Sequence, residues 1–171
     1  MKTASFRLSH CSAGQKGYLL VRFLLSVAAS ILLMTGLIKI AAIFGSAGLL
    51  RMEDPVFGVR FGILMPLVGI TEIAIGVTVL LCRHMAIAAG LVVWLGAEFI
   101  AYRFFASELR PGSYCPCLGS LGEFLGLNQA GATWLALVIC VTLIVLGLLA
   151  LGTSAYLNKP IDLGLSGTAR I

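Results

Sequence analysis

The sequence predicts an all-α integral membrane protein built as a four-helix bundle. Of its 171 residues, 60% are hydrophobic and only 11% are charged, whereas roughly 25% of residues are charged in ordinary soluble proteins. The mean hydropathy is +1.06. Four apolar stretches, each about the 20 residues that a membrane-spanning helix needs, follow one another along the chain. Little length remains for a separate soluble domain.

The first predicted span covers residues 18–43 and follows a polar, basic tail, 1–17. This beginning resembles a signal peptide. The apolar stretch is longer than the roughly 7–15 residues of a signal-peptide core, and it contains Lys39. We therefore expect a retained first helix.

Polar interruptions set the other boundaries. Pro55 disfavours helix at the residue before it, which indicates a loop ahead of the second span. The Arg83-His84 connection is so short that the second and third spans must form an antiparallel hairpin. The predicted divisions are a tail 1–17, a four-helix domain 18–156 with spans 18–43, 60–81, 85–105 and 131–152, and a polar tail 157–171.

Basic residues predict the orientation, because the side richer in them normally faces the cytoplasm. Seven Lys and Arg residues lie on the side of the two termini and five lie on the other side. This count favours a multi-pass membrane protein with both termini in the cytoplasm. The basic residues form no run that would follow a phosphate backbone, so the expected partner is the lipid bilayer and not a nucleic acid.

Three ionisable residues fall inside the apolar spans: Lys39, Glu72 and Glu98. An unpaired charge there costs about 2.5–3.5 kcal/mol by insertion scales. One interpretation is that Lys39 pairs with Glu98 or Glu72. The other is that one carboxylate handles protons coupled to redox chemistry. Arg103 is expected to extend its side chain to the outer interface.

Small residues mark one face of the second span. Gly62, Gly69 and Gly76 follow one another at seven-residue intervals. Such a face permits close approach of a neighbouring helix.

A thiol pair, Cys115-Pro116-Cys117, lies in the polar connection before the last span. A disulfide between residues this close closes a small, strained ring, and strained disulfides are the labile ones. Redox exchange, a static pair and metal binding are the three interpretations. Two sulfurs cannot fill a tetrahedral metal site and no further ligand stands nearby, so no metal is assigned. The remaining cysteines are expected to be packing residues or idle thiols; they are Cys11, Cys82 and Cys140.

Several of these motifs together resemble the DoxX and MauE group of small four-span membrane proteins. The residues that carry the resemblance are Gly36-Leu37-Ile38-Lys39, Asp54-Pro55-Val56-Phe57-Gly58, Thr71-Glu72 and Cys115-Pro116-Cys117-Leu118-Gly119. The resemblance implies a bacterial inner-membrane protein with thiol and disulfide chemistry on the periplasmic side, and DoxX relatives are associated with thiosulfate oxidation coupled to quinone. It also implies that Cys115 and Cys117 are the redox pair, with Lys39 and Glu72 as polar residues inside the bundle.

Two main hypotheses follow. The first is a membrane thiol redox protein that exchanges electrons with quinone, a periplasmic thioredoxin-like protein or a disulfide-containing client; thiol-disulfide oxidoreductase activity is left open. The second is a non-enzymatic accessory or assembly subunit of a larger membrane complex, which the glycine face of the second span favours. Transport is less favoured, because four spans without an internal repeat would have to oligomerise to form a pathway.

Overall fold

The computed structural model describes residues 4–44, 50–109 and 129–157. All regular secondary structure in these ranges is helical apart from one isolated β-bridge between Glu53 and Arg60. The helices are α1 (Ala4–Ala41), α2 (Phe61–Leu81), α3 (Met85–Leu109) and α4 (Gln129–Leu157), with a 3₁₀ turn at Ala42–Phe44.

The four helices pack as a bundle, which confirms the all-α fold. Each is long and apolar enough to cross a membrane, so the chain is a multi-pass membrane protein. The candidate spans are Gly17–Phe44, Phe61–Leu81, Met85–Leu109 and Ala130–Tyr156. The third and fourth extend beyond the predicted residues 105 and 152 because their flanking polar residues still form helix.

The bundle consists of two helix pairs. α1 packs most extensively against α2, α3 packs against α4, and contacts between α1 and α4 join the pairs. α2 and α3 are connected by only three residues, 82–84, yet contact each other far less. The central buried side chains come from all four helices and include Leu25, Leu32, Val79, Val92 and Leu143.

Glycines bring α1 and α2 together, as the spacing of Gly62, Gly69 and Gly76 predicts. A Cβ at Gly69 would lie 2.8 Å from the carbonyl oxygen of Gly36, and one at Gly36 would lie 2.7 Å from the carbonyl oxygen of Gly69. Gly76 packs on the side chain of Leu33, whose Cγ lies 3.1 Å from the Cβ position of Gly76. The two backbones therefore touch directly, which no larger residue would allow.

The helix directions define one end of the bundle, at which α1 and α3 end and α2 and α4 begin. We call it the loop end. Residues 50–60 lie there, between α1 and α2, and the functional candidates described next gather beneath them.

Candidate functional site

The connection between α1 and α2 is a compact turn organised by Asp54. Asp54 Oδ1 accepts hydrogen bonds from the backbone N–H groups of Val56 and Phe57 at 2.9 and 2.8 Å. The backbone N–H of Gly58 donates to the Asp54 carbonyl oxygen at 2.9 Å. Gly58 has φ +64°, a conformation that favours glycine. The turn thus has one defined shape.

The turn is attached to α3 through Tyr102. The Tyr102 hydroxyl donates a hydrogen bond to Asp54 Oδ2, and the ring stacks on Phe57 with centroids 6.0 Å apart and planes 7° apart. Asp54 is only 1% exposed, so both of its carboxylate oxygens have partners in a buried position. Sequence reasoning quoted the 54–58 turn but did not find this contact.

Lys39 and Glu72 form a buried ion pair between α1 and α2. Lys39 Nζ lies 2.5 Å from Glu72 Oε1, and the ammonium group stands 5.1 Å from the centroid of the Phe99 ring. Each member of the pair packs beside the glycine of the other helix: a Cβ at Gly36 would lie 3.3 Å from Glu72 Cβ, and one at Gly69 would lie 3.3 Å from Lys39 Cβ. Of the two partners predicted for Lys39, the structure selects Glu72.

A cavity of about 190 Å³ lies inside the loop end, beside this ion pair. All four helices and Phe57 of the turn contribute to its wall. Most of the wall is apolar, including Leu64, Met65, Val68, Phe99 and Ile139. Its polar groups come chiefly from Thr35, Lys39, Glu72, Glu98, Arg103 and Cys140.

Two buried polar atoms in the residues of this wall have no hydrogen-bond partner among the described residues. They are Glu72 Oε2 and Arg103 Nη1. Arg103 was expected to extend to the outer interface; instead it lines the cavity and is half-buried, with one guanidinium nitrogen enclosed. Such groups cost free energy unless a partner satisfies them, about 1–3 kcal/mol each and more for charged groups.

Glu98 differs from Glu72. It lines the cavity but is exposed at the surface of α3. Within the described parts of the chain it makes no ion pair, since the single pair there joins Lys39 to Glu72. Glu98 therefore lies both on the cavity wall and on the outer surface of the bundle.

No protein-family model, curated protein or solved structure matched this chain. The likeness to the DoxX and MauE group therefore remains a resemblance carried by the motifs, and the functional argument depends on the site itself.

The cysteines occupy different places. Cys140 of α4 is a buried free thiol on the cavity wall. Cys82 is a half-buried free thiol in the connection between α2 and α3, with Sγ 3.5 Å from the carbonyl oxygen of His84. Cys115 and Cys117 lie outside the described residues, and the side chain of Cys11 does too.

The described residues do not assemble a metal centre: no three His, Cys, Asp or Glu side chains in residues 17–44, 50–109 and 130–156 come together as ligands. The described residues do form the largely apolar cavity, with charged groups at Lys39, Glu72, Glu98 and Arg103. Such cavities bind small molecules, because apolar walls supply affinity and a few polar atoms fix the orientation.

Proposed function

We propose that this chain is a membrane-embedded thiol redox protein that uses Cys115 and Cys117 to exchange electrons with a periplasmic thiol partner or a quinone. The observation that carries the proposal is the position of the largely apolar cavity and its few charged groups. It lies at the loop end, where α3 ends at Leu109 and α4 begins at Gln129. The segment with the thiol pair joins those two helix ends, so an acceptor in the bundle and a partner outside it both have access to this end.

In the chemistry we propose, the Cys115–Cys117 disulfide takes two electrons and two protons from a client dithiol. A client thiolate attacks one sulfur to form a mixed disulfide, and the second client thiolate then releases the reduced pair. A quinone then oxidises the reduced Cys115 and Cys117 pair back to the disulfide. The quinone takes up the same two electrons and two protons and becomes quinol. With a thioredoxin-like partner, disulfide exchange replaces this last step.

The intramembrane charges have supporting roles in this proposal. Lys39 and Glu72 hold each other inside the apolar wall, and Lys39 supplies positive charge where an acceptor gains electrons. Glu98, without an ion pair among the described residues, is the carboxylate best situated to give or take protons at the cavity wall.

The test is to trap the thiols in intact cells with a membrane-impermeant, mass-adding maleimide, before and after a pulse of reductant. We expect the wild-type pair to change from oxidised to reduced and back. In either single variant, Cys115→Ser or Cys117→Ser, the remaining thiolate should attack the disulfide of an oxidised client, releasing one client thiolate and forming a mixed disulfide that no second cysteine of this chain can resolve. Cys82→Ser is the matched control and should behave like wild type. A pair that is inaccessible, or fixed in one state, contradicts the proposal.

The same reagent tests the orientation, for which the seven-to-five distribution of basic residues is the support. We propose that the termini are cytoplasmic, so labelling of Cys115 and Cys117 in intact cells with protection of Cys11 is the expected result. Labelling of Cys11 alone would show the opposite orientation, with the termini outside the cytoplasm.

The accessory-subunit hypothesis loses its main structural support. The glycine face that favoured it is used inside the bundle: Gly69 packs against Gly36, Gly76 against Leu33, and Gly62 against Leu50. That face is therefore not free for another subunit.

A further inference from the structure

The end of the bundle opposite the cavity carries basic residues without acidic partners among the described residues. We call it the hairpin end, because α2 ends and α3 begins there. Arg22 of α1 and Arg83 of the short connection lie at this end. The nearest acidic residues of α2 and α3 are Glu72 and Glu98, about 13 and 20 Å from the hairpin ends of their helices at helical rise. α1 and α4 contain no acidic residue.

Arg22 is held in place by the last turn of α2. Its Nη1 donates a hydrogen bond to the carbonyl oxygen of Leu80 at 3.2 Å, one of the final carbonyls that lack a partner within their own helix. A guanidinium group has five N–H donors, and the described residues give this side chain no other hydrogen bond. The remaining donors of an anchored, half-buried cation are therefore open to an anion.

Arg83 adds a second cation to the same place. It follows Leu80 by three residues, a length of chain that spans at most about 11 Å. It is exposed, and within the described ranges it forms neither an ion pair nor a side-chain hydrogen bond. Guanidinium groups bind phosphate oxygens well, because their fork of N–H donors matches the geometry of the anion.

The surrounding residues indicate the boundary between lipid headgroups and acyl chains. Tyr18 and Tyr156 are exposed at this end of α1 and α4, and tyrosine is enriched at membrane interfaces. Phe23, next to Arg22, and Leu81, the last residue of α2, are also exposed. Apolar surface for acyl chains thus adjoins the two guanidinium groups.

We infer that Arg22 and Arg83 bind the headgroup of an anionic phospholipid of the phosphatidylglycerol type, whose acyl chains lie on the exposed apolar surface beside them. A zwitterionic headgroup carries its own ammonium group, for which the described part of this end offers no carboxylate. With the termini in the cytoplasm, as proposed above, this end adjoins the leaflet with the negative surface potential. The lipid site and the thiol pair lie at opposite ends, so either proposal can fail without the other.

The test is native mass spectrometry of the full-length protein, released from detergent that contains equal amounts of dimyristoyl phosphatidylglycerol and dimyristoyl phosphatidylcholine. The two lipids share their acyl chains and differ in headgroup charge. A basic residue near an anionic lipid surface contributes about 1 kcal/mol, which corresponds to about fivefold in affinity. Wild type should therefore retain phosphatidylglycerol by about 25-fold over phosphatidylcholine, the product of about fivefold for each arginine.

Replacement of the arginines locates the site. Arg22→Gln and Arg83→Gln should each lower the preference about fivefold, and the double variant should retain the two lipids about equally. The matched control is Arg51→Gln/Arg60→Gln, which removes the same charge from two exposed arginines at the loop end. This control should keep the wild-type preference, because the charge at the hairpin end is unchanged.

Four outcomes would overturn the inference. The first two are equal retention of both lipids by wild type and an unchanged preference in Arg83→Gln, an exposed position that tests the site even if Arg22→Gln fails to fold. The third is an equal loss of preference in the loop-end control, which would mean that net charge alone attracts the lipid. The fourth is displacement of phosphatidylglycerol by an equal concentration of glycerol 3-phosphate, which would indicate a site for soluble phosphates.

Discussion

Gly36 of α1 and Gly69 of α2 lie so close together that a Cβ on either would meet the other's carbonyl oxygen at 2.7 or 2.8 Å. This contact sets the separation of the first helix pair. Because the two helices run antiparallel, Lys39 lies beside Gly69 and Glu72 lies beside Gly36, and their side chains form the ion pair across this contact. The position of the charged groups beside the cavity thus depends on two residues without side chains.

Gly69→Ala tests this dependence. The added Cβ meets backbone, which cannot move aside, so the helices must separate; we expect a loss of about 1–3 kcal/mol of unfolding free energy, as for other overpacked interiors. The measurement is reversible unfolding in mixed micelles. Gly152→Ala is the control, because nothing lies within 4 Å of its Cβ position. A helical glycine replaced by alanine there should be neutral or up to about 1 kcal/mol stabilising.

Lys39→Met should be strongly destabilising, by about 3–5 kcal/mol, because it leaves the Glu72 carboxylate buried without its cation. The double variant Lys39→Met/Glu72→Met removes both charges, and it should recover most of the loss. Unfolding of the two single variants and the double variant in a thermodynamic cycle gives the coupling. Additive losses would mean that the two residues do not act as a pair.

Tyr102→Phe removes the hydrogen bond to Asp54 Oδ2 but keeps the stacking on Phe57. We expect a loss of about 1–3 kcal/mol, since a buried carboxylate oxygen loses its partner. Hydrogen exchange of the Val56 and Phe57 amides should become faster. Tyr156→Phe, at a tyrosine that is 78% exposed, serves as the control and should leave exchange in the turn unchanged.

Gly58→Ala tests the cost of the backbone conformation without a steric clash from neighbouring atoms. Nothing lies within 4 Å of its Cβ position, yet φ is +64°, where an alanine costs about 1–2 kcal/mol. Gly58→Asn should cost less, because asparagine adopts this conformation more readily. The order glycine, asparagine, alanine in thermal stability is the expected result, and equal stability of all three variants would contradict it.

The sequence predicted the helices well because apolar length alone determines them. It predicted a partner for Lys39 because an isolated charge in a membrane is costly, but it could not choose between Glu72 and Glu98. That choice depends on how each helix is rotated about its axis, which the packing of Gly36 on Gly69 decides.

The contact between Asp54 and Tyr102 was beyond sequence reasoning because it joins residues 48 positions apart. Asp54 directly before Pro55 does indicate a side chain that caps its own turn. The sequence gives no comparable signal for Tyr102, whose position on α3 is characteristic of an interfacial aromatic residue. The cavity was missed for a related reason, since side chains of all four helices form its wall and no motif marks it.

The division of the bundle into two helix pairs means that the chain is naturally separable. Each pair has its own close contacts, Gly36 with Gly69 in one and Gly147 with Val93 in the other, while residues 82–84 join the two pairs covalently. Two polypeptides, 1–83 and 84–171, should therefore insert independently and reassociate in the bilayer through α1 and α4. Each half would carry part of the cavity wall, so the complete cavity would form only after the halves assemble.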